Sequence, residues 1–171
     1  MRYYEKYDSP MGPLWLAGND NGLTQLRFPE EFTPEGETAP HEMFVAVRNW
    51  LDDYFRGEIH QFDFPLAPEG TPFQKLIWQL LLELPFGKTR TYGDLAREAA
   101  RIMGKEKMSA QAVGQAVGRN PIPIIIPCHR ILGSGGSLTG FSCGIHRKIW
   151  LLQHEGWKMN SAQKAVLNRE D

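Results

Sequence analysis

The sequence predicts a two-lobed α/β protein: a small antiparallel sheet with one helix, followed by a helical lobe that carries a helix-turn-helix. Three observations predict it. Short aromatic and aliphatic runs separated by Gly, Pro and Asn turns occupy the first part of the chain. Apolar residues at helical spacing, opened by threonine or serine and closed by glycine, fill much of residues 71–156. Between the two, Pro65, Pro68 and Gly70 fall close together and mark a boundary. The lobes are assigned to residues 1–68 and 69–157, with a tail over 158–171 that has little to bury and is expected to fray.

Residues 2–7 (R-Y-Y-E-K-Y) suit a strand, and Ser9 to Pro13 a turn. Leu14–Ala17 and Leu23–Phe28 flank a Gly18–Gly22 turn whose residues tolerate positive φ, a hairpin signal. Pro29–Pro40 reads as an acidic loop. Phe44, Val47, Leu51, Tyr54 and Phe55 form one apolar helical stripe from about His41, stopped by Gly57, and residues 61–66 suit a further strand. Thr71-Pro72 then opens a strongly apolar helix, threonine as N-cap and proline in the first turn. Thr91 with Asp94 forms a variant capping box for a helix reaching about Met103, with Gly104 as its stop. Ser109 caps a shorter helix from Ala110 to about Arg119.

That shorter helix has an apolar side of Ala110, Val113 and Val117, and another side of Gln111, Gly114, Gln115 and Gly118. Each glycine costs about 1 kcal/mol inside a helix relative to alanine, an expense offset only by close approach of another surface. That surface is either a neighbouring helix or a nucleic acid groove, read by the glutamine amides with Arg119 on phosphates. A last helix, Ile145–Glu155, ends at Gly156.

The 171-residue chain has 42% hydrophobic residues, enough for a core, and a net charge of −1. The charge is polarised. Met1–Gly70 has 5 Lys+Arg against 13 Asp+Glu, a net of −8, whereas Thr71–Arg130 has 9 against 4, a net of +5. Such asymmetry fits either solvated surface charge or a polyanion on the basic side. No apolar run approaches a membrane span, and the N-terminus lacks the apolar core of a secretory signal, so a cytoplasmic protein is expected. Two cysteines, Cys128 and Cys143, make neither a disulfide framework nor a familiar zinc spacing, so no metal is implied.

The chemistry concentrates in Asn120–Arg130, N-P-I-P-I-I-I-P-C-H-R. Its apolar run reads as a buried strand over Ile122–Ile126, with Pro127 keeping Ile126 extended and aiming Cys128. A cysteine there is either a small core residue or a nucleophile. Reactivity needs a base or a positive field, because a free thiol has a pKa of about 8.5. His129 is adjacent, and His154-Glu155 on the last helix offers a carboxylate to orient it.

These residues resemble the O6-alkylguanine-DNA alkyltransferase family. The resemblance rests on P-C-H-R at 127–130 with its N-P-I-P-I-I-I lead, G-S-L-T-G-F at 136–141 and K-I-W-L-L-Q-H-E-G at 148–156. It also includes T-P-F-Q-K-L-I-W at 71–78 and T-Y-G-D-L-A at 91–96, so that it covers roughly Thr71–Gly156. The resemblance implies a ribonuclease H-like first lobe and a winged helix-turn-helix-like catalytic lobe. It further implies a monomer that repairs double-stranded DNA without a cofactor. Its reaction moves the alkyl group of O6-alkylguanine, and less readily that of O4-alkylthymine, to the protein's own cysteine once per molecule.

By the same resemblance Cys128 is the acceptor, His129 the base acting through a water, and Glu155 its orienting carboxylate. Asn120 completes the network and holds the turn, and Tyr92 donates to N3 of the departing guanine. Gln111, Ala112, Gly114, Gln115, Arg119 and Arg130 would meet DNA, and Phe141 and Ser142 the flipped base. The sequence departs from the family pattern at three positions. Gln111 stands where arginine is common, Phe141 where tyrosine is frequent, and Cys143 where glycine is usual. Three rival readings are a non-catalytic binder of alkylated bases, a regulator using the helix-turn-helix alone, and a thiol hydrolase. Family binders of the first kind lack the cysteine, a regulator leaves P-C-H-R unexplained, and a hydrolase requires turnover.

Overall fold

Pairing of Arg2–Ser9 (β1) with Gly12–Asn19 (β2) and of β2 with Gly22–Arg27 (β3) builds an antiparallel sheet in the order β1-β2-β3. The computed structural model describes residues 1–35, 38, 40–138, 143–160 and 164–167. The chain divides into two compact units, Met1–Glu69 and Gly70–Asp171. Among the described residues no helix is long and apolar enough to cross a membrane.

In the first unit β2 turns into β3 through Asp20-Asn21, where the Asn21 N–H donates to Asn19 Oδ1 at 2.8 Å. Tyr4, Leu14, Leu16, Leu23 and Leu26 are buried from the sheet. The helix Glu42–Phe55 (α1) buries Phe44, Val47, Leu51 and Tyr54, the expected stripe without Phe55. Its N-cap is a histidine, His41, whose Nδ1 accepts from Met43 N at 3.1 Å. Two details differ from expectation. The acidic loop begins with a 3-10 turn, Pro29–Glu31. Residues 61–66 form no strand beyond a bridge of Leu66 to Leu23, because Pro65 has no N–H and supplies only its carbonyl to Leu23 N, at 3.0 Å.

The second unit is built on Pro72–Leu82 (α2), Tyr92–Met103 (α3) and Ala110–Gly118 (α4). Their starts follow from side-chain caps. Thr71 and Gln74 make a full capping box, as do Thr91 and Asp94, and Ser109 Oγ accepts from Ala112 N at 3.2 Å. Gly104, left-handed at φ 67°, closes α3. The Trp78 indole N–H donates to Ala116 O at 2.9 Å and locks α2 to α4. The buried side of α4 is Val113, Ala116 and Val117, whereas the expected Ala110 is exposed.

Two strands of two residues each, Arg90–Thr91 (β4) and Ile131–Leu132 (β5), pair in parallel and fix the entry to α3 beside the exit of the Cys128 turn. After Ile145–His154 (α5), Trp157–Met159 (β6) pairs antiparallel with Ala165–Leu167 (β7). The tail expected to fray is therefore a hairpin over these residues. Ala165 is buried with Leu132 and Leu152, and Leu138, Trp157 and Met159 cover that cluster.

Candidate active site

Asn120–Pro127 is not the strand its composition predicts. It is a buried looped segment that contains bends and turns, closed by the Asn120 side chain together with a few backbone hydrogen bonds. Asn120 Nδ2 donates to Ile126 O at 2.7 Å while Oδ1 accepts from Ile122 N at 2.9 Å, so the amide ties the start of the loop to its end. The Ile126 N–H closes back on Ile122 O at 2.9 Å, and Ile124 has a φ of 74°. Such a conformation is uncommon for a β-branched residue and persists only where surrounding packing fixes it; Ile124 is 1% exposed. Pro127 (φ −82°, ψ 66°) is the centre of an inverse γ-turn closed by Cys128 N to Ile126 O at 2.8 Å. Cys128–Arg130 then forms one 3-10 turn. In place of an extended strand, this turn brings the imidazole and the guanidinium to one carboxylate, that of Glu155.

All three are buried, with Cys128 at 3%, His129 at 0% and Arg130 at 7% exposure. His129 Nε2 meets Glu155 Oε2 at 2.5 Å. Glu155 is the C-cap of α5, just past the helix end. Its carboxylate also accepts from Arg130 Nε at 2.8 Å, Arg130 Nη2 at 3.1 Å and Gly87 N at 2.9 Å. Arg130 is completed by Nη1 donating to Leu84 O at 2.6 Å and by the Phe86 ring, 5.9 Å from Cζ. Arg130 thus corrects an expectation: its guanidinium is a fork gripping a buried carboxylate, not a side chain presented for DNA.

Burial alone would raise the Glu155 pKa, but His129 and Arg130 overcome it and hold the carboxyl well below the usual range. Burial pushes His129 down, more strongly than Glu155 pulls it up, and leaves a neutral imidazole. The two shifts are compatible only if His129 serves Glu155 as a hydrogen-bond donor, so we assign the compensating charge to Arg130. With Nε2 on the carboxylate, His129 Nδ1 is the one buried side-chain N or O without a partner among the described residues.

Burial pushes the Cys128 thiol up to about 11, opposed by the Asn120 amide and by the charge of Lys148. Lys148 is fully buried on α5, donates to Ile131 O at 2.6 Å, and has Nζ 5.8 Å from the centre of the Tyr92 ring. Sequence reasoning missed Lys148, which entered only as the first residue of the 148–156 motif. The signal was its register: it lies three and four residues before Leu151 and Leu152, on the buried stripe of α5.

Tyr92, half-buried at the first position of α3, also lies beside α4, since a Cβ on Gly114 would be 3.8 Å from its ring. A Cβ on Gly118 would meet nothing within 4 Å. Gln111, Gln115 and Arg119 are exposed along α4, and Ala112 is half-buried. The structure therefore buries Cys128, His129, Glu155 and Asn120 around one turn, with His129 paired to Glu155, Asn120 tying the loop that leads to Cys128, and Lys148 against the Tyr92 ring. It leaves the α4 residues on a separate, accessible face. Phe141 and Ser142 lie outside the described residues. Cys143 is buried, with its carbonyl accepting from Arg147 Nη1 at 3.0 Å.

Fold and site define a class: a thiol-bearing helix-turn-helix lobe preceded in the chain by a small sheet domain. The comparisons with known proteins narrow it. The model described as 6-O-methylguanine DNA methyltransferase, DNA binding domain, matches residues 72–157. The ribonuclease-like domain of the same family matches residues 2–68. The chain belongs to the 6-O-methylguanine DNA methyltransferase family. The methylated-DNA–protein-cysteine methyltransferase of Methanosarcina acetivorans is 44% identical over 158 residues, 90% of this chain and 98% of that protein. Mycobacterium tuberculosis OGT, solved in complex with DNA, matches with a TM-score of 0.79 at 43% identity, over 90% of this chain and 92% of the other. The O6-methylguanine-DNA methyltransferase of Pyrococcus kodakaraensis, 21% identical at a TM-score of 0.52 over 91% of this chain and 99% of that chain, shares the fold.

Proposed function

We propose that this protein repairs double-stranded DNA by moving the alkyl group of O6-alkylguanine, and less readily of O4-alkylthymine, irreversibly to Cys128. It acts as a monomer without a cofactor, and residues 69–157 perform both DNA binding and transfer. The observation that carries this reading is the Glu155–His129 pair. It holds a neutral imidazole with Nδ1 unpartnered in the same turn as a buried thiol, the arrangement expected of a base that relays a thiol proton. Relatives named methylated-DNA–protein-cysteine methyltransferase and a neighbour solved with DNA support the same reading.

The target oxygen lies inside the base stack, so the nucleotide is extruded at a cost of a few kcal/mol. The glycine-containing face of α4 presses on the duplex, with Gln111 filling the space left by the flipped base and Gln115 and Arg119 beside it. At the site the thiol proton leaves through a water to His129. The sulfur then bonds to the alkyl carbon as the C–O6 bond breaks, and the electron pair of that bond passes to guanine. Tyr92 supplies a proton at N3, which neutralises the departing base. The thioether cannot be hydrolysed, so each molecule reacts once.

Incubation with an oligonucleotide carrying O6-methylguanine, followed by intact mass measurement, tests this. The expected result is a gain of one methylene, absent in Cys128→Ser. Binding to the lesion with no gain would leave the non-catalytic binder as the reading.

A further inference from the structure

Glu155 and Trp157 reach one and the same residue. The Glu155 carboxylate accepts from the Gly87 N–H at 2.9 Å through Oε1, and the Trp157 indole N–H donates to the Gly87 carbonyl at 3.2 Å. Gly156, with φ 101°, turns the chain between them, so that the C-cap of α5 and the first residue of β6 both face Gly87. Gly87 has φ 78° and is the third residue of a turn closed by Lys88 N to Pro85 O at 3.1 Å, a position that favours glycine. A Cβ there would stand 3.3 Å from the Glu155 carbonyl oxygen. The same segment serves the other half of the ion pair, because Leu84 O accepts from Arg130 Nη1 at 2.6 Å. Leu84–Gly87 thus presents an acceptor to the guanidinium and a donor to the carboxylate.

His129 and Arg130 meet the carboxylate through side chains, with His129 Nε2 at Oε2 and Arg130 Nε at Oε1. The terminal torsion of a glutamate is broad, and side-chain partners can turn with it. A backbone N–H in a closed turn cannot. With Oε1 pinned on Gly87, Oε2 is left facing the imidazole. We infer that Trp157 is a positioning residue for alkyl transfer: its indole fixes the Gly87 turn, whose N–H holds the Glu155 carboxylate in the orientation that presents Oε2 to His129. The inference rests on the alkyl-transfer reading for the task of His129, and it deepens that reading by extending the site to β6. As His129 takes the thiol proton its ring becomes positive, and a carboxylate swung away from Nε2 would leave that charge unsupported in a buried place.

Trp157 is half-buried and also covers the cluster of Leu132, Leu152 and Ala165, so its ring has a packing role of its own. The indole N–H separates the two roles. Trp157→Phe keeps an aromatic ring over the cluster and removes the donor to Gly87.

The test compares Trp157→Phe with the unsubstituted full chain. Without DNA, the NMR signal of the His129 Nε2–H proton is expected to move upfield and exchange faster with solvent in the variant. A merely structural tryptophan would lower the denaturant midpoint and leave that signal in place. In single-turnover transfer from duplex DNA carrying O6-methylguanine, the saturating rate should fall about tenfold, the size that one lost hydrogen bond carries, with the half-saturating DNA concentration unchanged. In a Glu155→Gln background the same substitution should lower the rate no further, because Trp157 acts through that carboxylate. A His129 signal that stays put, an undiminished rate, or an equal loss in both backgrounds overturns the inference. Should Trp157→Phe not fold, hydrogen exchange of the Gly87 amide and the Trp157 indole in the unsubstituted protein decides: exchange as slow as that of the inner amides of α5 supports the clamp, and exchange at the solvent rate overturns it. A moved His129 signal in a protein that takes no methyl from DNA would instead sink the functional reading and leave the clamp standing.

Discussion

Arg130 decides how the site is held together. A buried carboxylate stripped of its guanidinium keeps its desolvation penalty and loses its compensation, so Arg130→Met is expected to cost about 3–5 kcal/mol in a denaturant titration. The same variant should leave the salt dependence of DNA binding unchanged, because Arg130 faces Glu155 and Leu84 and not the surface. A shallower salt slope would restore it to the DNA face. Glu155 makes a prediction in pH. Its folded pKa is depressed below the ordinary 4.5, so the stability it contributes is present above that value and lost as pH falls through the folded pKa. Glu155→Gln should therefore flatten the acid limb of stability against pH; an unchanged limb would mean other carboxylates dominate it. At this scale the meeting of His129 with Glu155 and the Asn120 tie across the loop were anticipated only through the family resemblance of the motifs that hold them. Lys148 and the true partner of Arg130 were not, because a buried charge is defined by residues distant in the chain.

Helix α4 has an inexpensive core side and an expensive outer one. Gly118 is open to a Cβ, with nothing within 4 Å. Gly118→Ala is expected to gain about 1 kcal/mol of stability from helix propensity and to weaken DNA binding, since the added methyl stands where a duplex backbone would press. Gain in stability with unchanged affinity would assign the glycine no role in DNA approach. The helix starts were readable to the residue because Thr71, Thr91 and Ser109 cap by local side-chain hydrogen bonds. The Ile122–Ile126 run was misread for the opposite reason. Its apolar residues are buried as a strand's would be, but Asn120 satisfies its backbone in place of a ladder, which composition does not reveal. The two-residue strands β4 and β5 were also invisible, being too short for any period.

Across the whole chain, the acidic first unit and the basic stretch that follows it separate the charge that repels a polyanion from the charge that attracts one. Gln111 removes a cation from the exposed face of α4 where the family commonly has arginine. Gln111→Arg should tighten DNA binding and steepen its salt dependence by about one counterion. Unchanged binding and transfer would mean that this position does not fill the duplex. The two-lobed architecture was legible from turn clusters and periodicity. The hairpin of β6 and β7 was not, because its burial depends on Leu132 and Leu152 receiving Ala165.

The central claim is that Cys128 takes the alkyl group and keeps it. Its most direct measurement is transfer of an isotopically labelled methyl from O6-methylguanine in duplex DNA, with labelled peptides mapped and counted against protein. The account predicts label on the Cys128 peptide alone, rising to one methyl per molecule and stopping. Label released as free product over repeated turnovers, or held at Cys143, would contradict it.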